Sequence, residues 1–250
     1  MKWAVVVFPG SNCDEDAVLA VTQVTGDSVD KVWYTQRDLS GYDAVILPGG
    51  FSYGDYLRSG AIARFSPVLA GVQEMATAGK LVLGICNGFQ VLTEAGLLPG
   101  ALLRNDHLQF RCEMTPLEVM SNASPFLADY KIGEVIQVPI AHGEGRYYAD
   151  EQTLDQLVAS NRVGVRYLRN PNGSLRNIAG VLNEAGNVFG LMPHPERAVA
   201  DWMGSSDGRR VFLSMKRFVE SQPVTRKGDE KVASLGDRTQ TVEVGQSHGN

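Results

Sequence analysis

The sequence has little of what marks secreted, membrane or nucleic-acid-binding proteins. Its 250 residues include three cysteines, Cys13, Cys86 and Cys112, without a C-x-x-C pair, so neither a disulfide framework nor a zinc ribbon is indicated. A net charge of −5 offers no basic excess to replace the counterions of nucleic acid. The apolar stretch at residues 4–8 is too short for a signal peptide core or a membrane span. These absences predict a soluble, cytoplasmic protein.

Two further absences concern ligands and architecture. Nothing in the sequence resembles the phosphate-binding loop G-x-x-x-x-G-K-[S/T], so we expect no ATP, metal or other cofactor site in this chain. No internal repeat is visible, and 44% apolar residues suffice for one sizeable core. Residues 221–250 carry few large apolar side chains, which predicts a flexible tail after one domain at residues 1–220.

Short apolar runs alternate with helical segments in the first half of the chain. The runs at residues 3–8, 31–34, 43–47 and 81–85 predict strands. Helices are expected at about 14–25, with Ser11 or Asn12 as cap, at 64–78, and directly after Cys86. Because crossover helices connect parallel neighbours, this order predicts a parallel sheet covered on both faces.

The second half predicts antiparallel additions to that sheet. Turn-forming residues at 170–173 and 184–187 separate apolar runs and predict hairpin turns. A last amphipathic helix is expected at 206–220. The strands of this half are predicted at residues 110–120, 134–140, 163–168, 178–182 and 188–191. The expected fold is therefore a three-layer, doubly wound α/β domain with a mostly parallel sheet.

The strand at 81–85 ends in the pattern G-x-C-x-G, formed by Gly84, Cys86 and Gly88, and passes directly into a helix. Such a sharp turn lifts a nucleophile out of the sheet edge and leaves no room for side chains two positions before and after it. The first N–H groups of the helix favour the thiolate and, at Asn87, can face a tetrahedral oxyanion. A buried packing cysteine is the alternative, and the two glycines favour the nucleophile.

A histidine with a nearby carboxylate follows the strand at 188–191. His194 stands between Pro193 and Pro195, and Glu196 comes two positions later. In an extended segment both side chains project to the same side, so Glu196 can orient the imidazole and stabilise its cation. His194 is thus the candidate base, against the alternative of an exposed loop histidine.

The remaining cysteines and histidines match no such pattern. Cys13 follows a turn, and we expect a structural or incidental role for it. Cys112 lies within a predicted strand and is expected to be packed. His107 and His248 are expected in solvent.

A third motif, Pro48-Gly49-Gly50, follows another strand, where its bare N–H groups can approach a carbonyl oxygen. In this order the loop, the cysteine turn and the H-P-E segment resemble the class I (triad) glutamine amidotransferases, over about the first 220 residues. The Asn after the cysteine, and residues 9–14, 50–58 and 140–147, are similar to the glutaminase subunits that serve formylglycinamidine ribonucleotide synthesis in purine biosynthesis. Residues 111–114 lack the basic or aromatic run expected there.

The resemblance implies a flavodoxin-like fold and a glutaminase. In it Cys86 is the nucleophile, His194 the general base and acid, and Glu196 the orienting carboxylate. Ammonia from glutamine passes to a large synthetase subunit that binds ATP and Mg²⁺, and a small third subunit bridges the two.

The resemblance also implies which residues bind the substrate. Gly50 and Asn87 donate the oxyanion-hole amides, and Gln90 helps to hold glutamine. His142 and Gly143 lie near the amino-acid end of the substrate, with packing as the alternative role for His142.

Other functions remain open at this stage. They are a glutaminase of another amidotransferase, a Cys–His hydrolase or peptidase of related fold, and a binding module without activity. A hydrolase does not require the glycine loop, Gln90 and the H-P-E segment together, and a binding module has no need of both Cys86 and His194.

Overall fold

The computed structural model describes residues 1–222, which form a nine-stranded mixed sheet with helices packed against it, and a separate two-stranded sheet. The predicted tail lies outside the described residues except for its first two positions, and so does His248. The strands are β1 (Lys2–Val7), β2 (Ser28–Trp33), β3 (Ala44–Leu47), β4 (Leu81–Ile85), β5 (Ala101–Leu103), β6 (Arg111–Val119), β7 (Val135–His142), β8 (Arg146–Tyr148), β9 (Val163–Tyr167), β10 (Ile178–Leu182) and β11 (Val188–Leu191). The helices are α1 (Asp14–Thr25), α2 (Pro67–Thr77), α3 (Asn87–Glu94), α4 (Glu151–Ala159) and α5 (Arg209–Ser221).

The strand order of the large sheet is β2-β1-β3-β4-β11-β10-β9-β6-β7. Pairing is parallel from β2 to β11 and antiparallel from β11 to β7. Every residue of β3, β4 and β11 is buried, as expected for parallel strands covered on both faces. The predicted α/β fold, with a large and mostly parallel sheet and antiparallel additions, is confirmed.

This topology gathers seven strand ends at one edge of the sheet. The strands β2, β1, β3, β4, β11, β9 and β7 all run in the same direction, so their carboxyl ends lie along one edge. The chain places Cys13 and Gly49 beyond two of these ends, and Cys86, His194 and His142 at three others. Ligands of open α/β sheets bind outside the carboxyl ends of the strands, so this edge is the place to look for a site.

Helix α1 has the predicted bounds, but the predicted cap is wrong. Cys13 is the N-cap residue and makes no side-chain capping bond, whereas the Ser11 hydroxyl accepts from the backbone N–H of Phe8 at 3.0 Å. Three acidic residues in the first turn supply the charge that favours a helix start.

The helix expected at 64–78 begins only at Pro67, after a short 3₁₀ turn at Ala63–Phe65. A proline biases the residue before it away from the helical region, and Ser66 is indeed extended with ψ 142°. The 184–187 hairpin turn is confirmed, because it joins the antiparallel strands β10 and β11. Residues 170–173 also lie between antiparallel strands, within a longer connection that contains a 3₁₀ turn at Leu175–Asn177.

Three elements escaped the sequence analysis. Strands β5 and β8 have three residues each and pair only with one another. Helix α4 carries a recognisable signal, because Asp150 caps it by accepting from the Thr153 N–H at 2.8 Å, and Leu154 and Leu157 form its buried stripe. Among residues 1–222, no helix has both the length and the apolar character that a membrane span needs.

The expectation of a packed Cys112 is wrong, because this residue is exposed. It lies in the first half of β6, which pairs with β7 there but reaches β9 only at Leu117–Val119. Residues 111–114 therefore extend past the covered part of the sheet, and all four are exposed.

Candidate active site

Cys86 occupies a strained turn between β4 and α3. Its backbone has φ 50° and ψ −104°, a conformation that costs on the order of 1–3 kcal/mol for a residue other than glycine. The Cys86 N–H donates to the Leu191 carbonyl at 2.8 Å, and the Gln90 N–H donates to the Cys86 carbonyl at 3.1 Å. These two bonds fix the turn between the neighbouring strand and the new helix. The thiol lies 3.7 Å from the Ala141 carbonyl oxygen, and the side chain keeps 6% of its surface exposed.

The two glycines of the turn are required by its packing. A Cβ at Gly88 would lie 1.9 Å from the Leu47 carbonyl oxygen, which is backbone that cannot move aside. A Cβ at Gly84 would lie 2.5 Å from Leu92 Cδ1 and 2.9 Å from the backbone of Gly88. Steric crowding is therefore the reason that glycines stand two positions before and two positions after Cys86.

His194 and Glu196 form a buried pair beyond the end of β11. His194 Nδ1 lies 2.6 Å from Glu196 Oε1, and both side chains are almost fully buried. Burial lowers the pKa of His194, but the carboxylate of Glu196 and the sulfur of Cys86 outweigh it and raise that pKa to about 10. We infer that the imidazole is held as a cation between these two groups.

The second ring nitrogen of His194 is free for chemistry. Nε2 is buried and has no hydrogen-bond partner among the described residues. Strands β4 and β11 are adjacent and parallel, with Ile85 opposite Leu191, so the chain leaves both strands at the same level. Cys86 and the H-P-E segment therefore start from neighbouring positions on the edge, and the interaction of the thiol with the imidazole follows from this register.

The Gly49-Gly50 loop lies against the cysteine turn. Gly50 has φ 139°, and a Cβ there would lie 2.8 Å from the Asn12 nitrogen, so only glycine fits. The Asn87 side chain ties this loop to α3, because its Oδ1 accepts from the Ser52 N–H at 3.2 Å. Asn87 is thus bonded to the segment that follows Gly50, and the oxyanion role of Gly50 and Asn87 stays a prediction.

The Asn87 and Gln90 side chains join a polar network beside the thiol. Asn87 Nδ2 donates to Gln90 Oε1 at 3.0 Å and to Asp55 Oδ1 at 3.3 Å, and Gln90 Nε2 donates to the Glu144 carbonyl at 2.6 Å. The Gln90 amide is therefore bonded at both ends by protein groups, while its predicted contact with glutamine is untested. Burial, with the Glu144 carboxylate nearby, raises the pKa of Asp55 to about 6.

His142 is buried at the end of β7, with 2% of its surface exposed. Neither of its ring nitrogens has a hydrogen-bond partner among the described residues. Burial, together with the neighbouring charge of His194, lowers its pKa to about 4, so this imidazole is neutral at pH 7. A Cβ at Gly145 would lie 2.5 Å from its Nδ1, so the ring packs directly on that glycine. Gly143 accepts a bond from the Asn105 N–H at 2.9 Å through its carbonyl.

Sequence reasoning missed a cysteine and an arginine behind the base. Cys13 Sγ lies within 4.8 Å of ligand atoms of His194 and Glu196, and it accepts from Arg197 Nη2 at 3.1 Å. Burial and the Glu196 carboxylate raise the pKa of Cys13 to about 12. Only the position of Cys13 beyond β1, at the same edge as the base, could have indicated this contact.

These three side chains could in principle hold a metal ion, since thiolate, imidazole and carboxylate are all ligands of zinc. A protonated thiol beside a guanidinium is a poor ligand, however, and the His194–Glu196 bond already uses one atom of each partner. The cluster is therefore a poor fit for a metal ion.

His107 takes no part in this site. It was predicted to lie in solvent, but the residue is only partly exposed. It is half-buried, accepts from the Gln109 N–H at 3.1 Å through Nδ1, and lies 2.9 Å from the Pro171 carbonyl. With Arg111 and Arg169 it lines a polar surface pocket.

The arrangement provides a nucleophile, a base and an orienting carboxylate next to backbone N–H groups, which is the equipment for acyl transfer through a thioester. The family model for the CobB/CobQ-like glutamine amidotransferase domain matches residues 1–219. The chain therefore belongs to this family of glutamine amidotransferases.

A closer likeness is found among solved structures. A chain in the structure of PurLQS from Thermotoga maritima is 47% identical, with a TM-score of 0.81, and the match covers 87% of this chain and 98% of that one. Two more distant likenesses support the fold alone. The glutaminase domain of Trypanosoma brucei CTPS with bound acivicin is 16% identical over 89% of this chain and 94% of that one, with a TM-score of 0.58. A glutamine amidotransferase from Thermotoga maritima is 19% identical over 88% of this chain and 80% of that one, with a TM-score of 0.52.

Proposed function

We propose that this chain is the glutaminase subunit of a formylglycinamidine ribonucleotide synthase in purine biosynthesis. The observation that carries the proposal is the 47% identity to a chain of PurLQS over 98% of that chain. The buried His194–Glu196 pair beside Cys86 supports the glutaminase chemistry, and the motifs at residues 9–14, 50–58 and 140–147 support the subfamily.

The reaction begins when the Cys86 thiolate attacks the side-chain carbonyl carbon of glutamine. A C–S bond forms, and the N–H groups of Gly50 and Asn87 stabilise the oxyanion. His194 then gives its proton to the departing nitrogen, the C–N bond breaks, and ammonia and a glutamyl thioester result. Water, deprotonated by His194, attacks the thioester and releases glutamate, which regenerates the thiolate and the imidazolium held by Glu196.

The ammonia is the product that a partner uses. In the proposed complex, a large synthetase subunit binds ATP, Mg²⁺ and the ribonucleotide, and a small subunit bridges it to this chain. The complex is expected in the cytoplasm. Isolated from its partners, this chain is expected to be a slow glutaminase.

Labelling with the glutamine analogue diazo-oxonorleucine tests the glutaminase. We expect one label per chain on Cys86, protection by glutamine, and no label in Cys86→Ala. Cys112→Ala is the matched control, since it removes an exposed thiol and should label like the wild type. An unlabelled Cys86 would favour a peptidase or a binding module.

Reconstitution with a formylglycinamidine ribonucleotide synthetase subunit tests the pathway. Cys86→Ala should abolish glutamine-dependent synthesis and leave ammonia-dependent synthesis intact. Loss of both would argue against a separate ammonia-producing site. A chain that is labelled by the analogue but activates no such synthetase would be the glutaminase of another amidotransferase.

A further inference from the structure

The mechanism above does not use the contact of Cys13 and Arg197 with the His194–Glu196 pair. Cys13 is 3% exposed and lies at the start of α1, while Arg197 directly follows Glu196 in the chain. The two side chains meet through the bond from Arg197 Nη2 to Cys13 Sγ at 3.1 Å. This part-buried contact lies next to Glu196 in the chain and restricts how the Glu196 carboxylate can move.

Arg197 is held at two points of the same helix. Besides Cys13, its Nε donates to Asp16 Oδ2 at 2.9 Å, in the first turn of α1. The 3₁₀ turn Pro195–Arg197, which carries Glu196, is thereby fastened to α1. Burial lowers the pKa of Arg197, but Cys13, Asp16 and Glu196 outweigh it and raise that pKa, so the Glu196 carboxylate lies within the field of this cation.

Gly49 packs close to both the Cys13 sulfur and the His194 imidazole. A Cβ at Gly49 would lie 2.7 Å from His194 Cε1 and 3.0 Å from Cys13 Sγ. A side chain at Gly49 would therefore collide with both the ring and the sulfur. Since the Cys13 thiol also donates to Asn12 Oδ1 at 3.2 Å, the sulfur cannot rotate away freely.

We propose that Cys13 and Arg197 are positioning residues that hold Glu196 and the His194 ring in the orientation needed for proton exchange with Cys86. The inference rests on the role of His194 in the proposed function. Neither residue touches the reacting atoms. They act by fastening the segment that carries the base to the start of α1.

Substitution of Arg197 should therefore impair turnover more than binding. Arg197→Ala is expected to lower kcat about 30-fold with KM within about threefold, because small misplacements of a catalytic group cost up to about a hundredfold. Arg197→Lys keeps the charge near Asp16 but has one nitrogen for two partners, so it should recover part of the rate. Cys13→Ser should stay within about threefold of wild type, and Cys13→Ala should lose about tenfold.

Arg210→Ala is the matched control. Arg210 is also half-buried and ion-paired, to Glu134, with 31% of its side chain exposed against 36% for Arg197. It lies on α5, and its hydrogen bonds go to Glu134 and to the Asp129 carbonyl rather than to the segment that carries the base. If Arg197 only stabilised the fold, both variants would lower the melting temperature and leave kcat unchanged.

An NMR titration of His194 distinguishes a purely electrostatic role of Arg197 from a positioning role, because the two roles predict opposite shifts of the His194 pKa in Arg197→Ala. If Arg197 acts only as a charge, its removal raises the pKa of His194, because a neighbouring cation is lost. If it positions Glu196, its removal loosens the His194–Glu196 bond and lowers that pKa toward 6.5. We expect a fall in Arg197→Ala and no change in Arg210→Ala. A rise, or an unchanged value with unchanged kcat, would overturn the proposal.

The alkylation rate of Cys86 by iodoacetamide at pH 7, followed by mass spectrometry of its peptide, completes the test. It should fall in Arg197→Ala and Cys13→Ala but not in Arg210→Ala. Should Arg197→Ala not fold, the Cys13→Ala and Cys13→Ser pair decides, and wild-type behaviour of both refutes the inference. Because titration and alkylation need no glutamine, they give an answer even if the wild type proves not to be a glutaminase.

Discussion

The carboxylate of Glu196 should determine the protonation state of His194. In Glu196→Gln the side chain keeps its size and one hydrogen bond but loses its charge. Burial lowers the pKa of His194, and in the variant only the Cys86 sulfur opposes it, so this pKa should fall well below its wild-type value of about 10. A shift from 6.5 to about 10 corresponds to roughly 5 kcal/mol of preference for the imidazolium in the folded protein.

The assay is an NMR titration of the His194 ring in wild type and variant, together with glutamine hydrolysis at pH 7. A general acid and base contributes about 10²–10⁴-fold to rate, so we expect kcat to fall at least about a hundredfold. Glu134→Gln, which removes a carboxylate paired with Arg210 on α5, is the control and should change neither quantity. The reasoning is refuted if His194 titrates near 6.5 in the wild type, or at the same pH in both proteins.

Stability against pH gives a second check with a defined sign. A histidine whose pKa is raised on folding contributes stability that is fully present below pH 6.5 and is lost as the pH rises toward 10. Urea unfolding between pH 6.5 and 9 should therefore show a decline in the wild type that is reduced in Glu196→Gln. Equal slopes would mean that Glu196 does not hold the proton.

Three further predictions concern neighbouring groups. His142 has its pKa lowered to about 4, so unfolding free energy should fall as the pH drops from 6.5 to 4, by up to about 1.4 kcal/mol per pH unit, and His142→Asn should flatten this part of a urea-unfolding series. Gly88→Ala, which puts a methyl group 1.9 Å from the Leu47 carbonyl oxygen, should cost about 3 kcal/mol or more in thermal or urea unfolding, whereas Gly41→Ala in open space should cost under about 0.5 kcal/mol. Asn87→Ala removes the acceptor of the Ser52 N–H, so amide hydrogen exchange at Ser52 should accelerate at least about tenfold, and unchanged protection would show that Asn87 does not tie the glycine loop to α3.

The sequence was sufficient for those parts of the fold where local and long-range preferences agree. Strands β4, β10 and β11 have the predicted bounds because each is a continuous apolar run closed by turn residues. Strands β5 and β8 were missed because three residues carry no periodicity, and they exist only through pairing with each other. The length of α2 was misjudged because the effect of Pro67 on Ser66 was not taken into account.

The candidate site also contains residues that the local sequence indicates and residues that only the three-dimensional structure reveals. Cys86, His194 and Glu196 could be found because sterics and proton chemistry require their neighbours in sequence, such as the glycines of the turn. Cys13 and Arg197 could not, because their contact joins residues separated by 184 positions, and the sheet order only brings the ends of β1 and β11 to the same edge, with β3 and β4 between them. The packing of His142 on Gly145 is likewise visible only in three dimensions.

Cys86 and His194 lie just beyond the ends of the adjacent parallel strands β4 and β11, and this placement has a consequence for protein engineering. Their starting points are fixed by the pairing of Ile85 with Leu191 in the sheet rather than by the conformation of any long loop. Grafting this chemistry onto another scaffold would therefore require two neighbouring strands in register, each followed by the right short peptide, and a helix start that can bind Arg197.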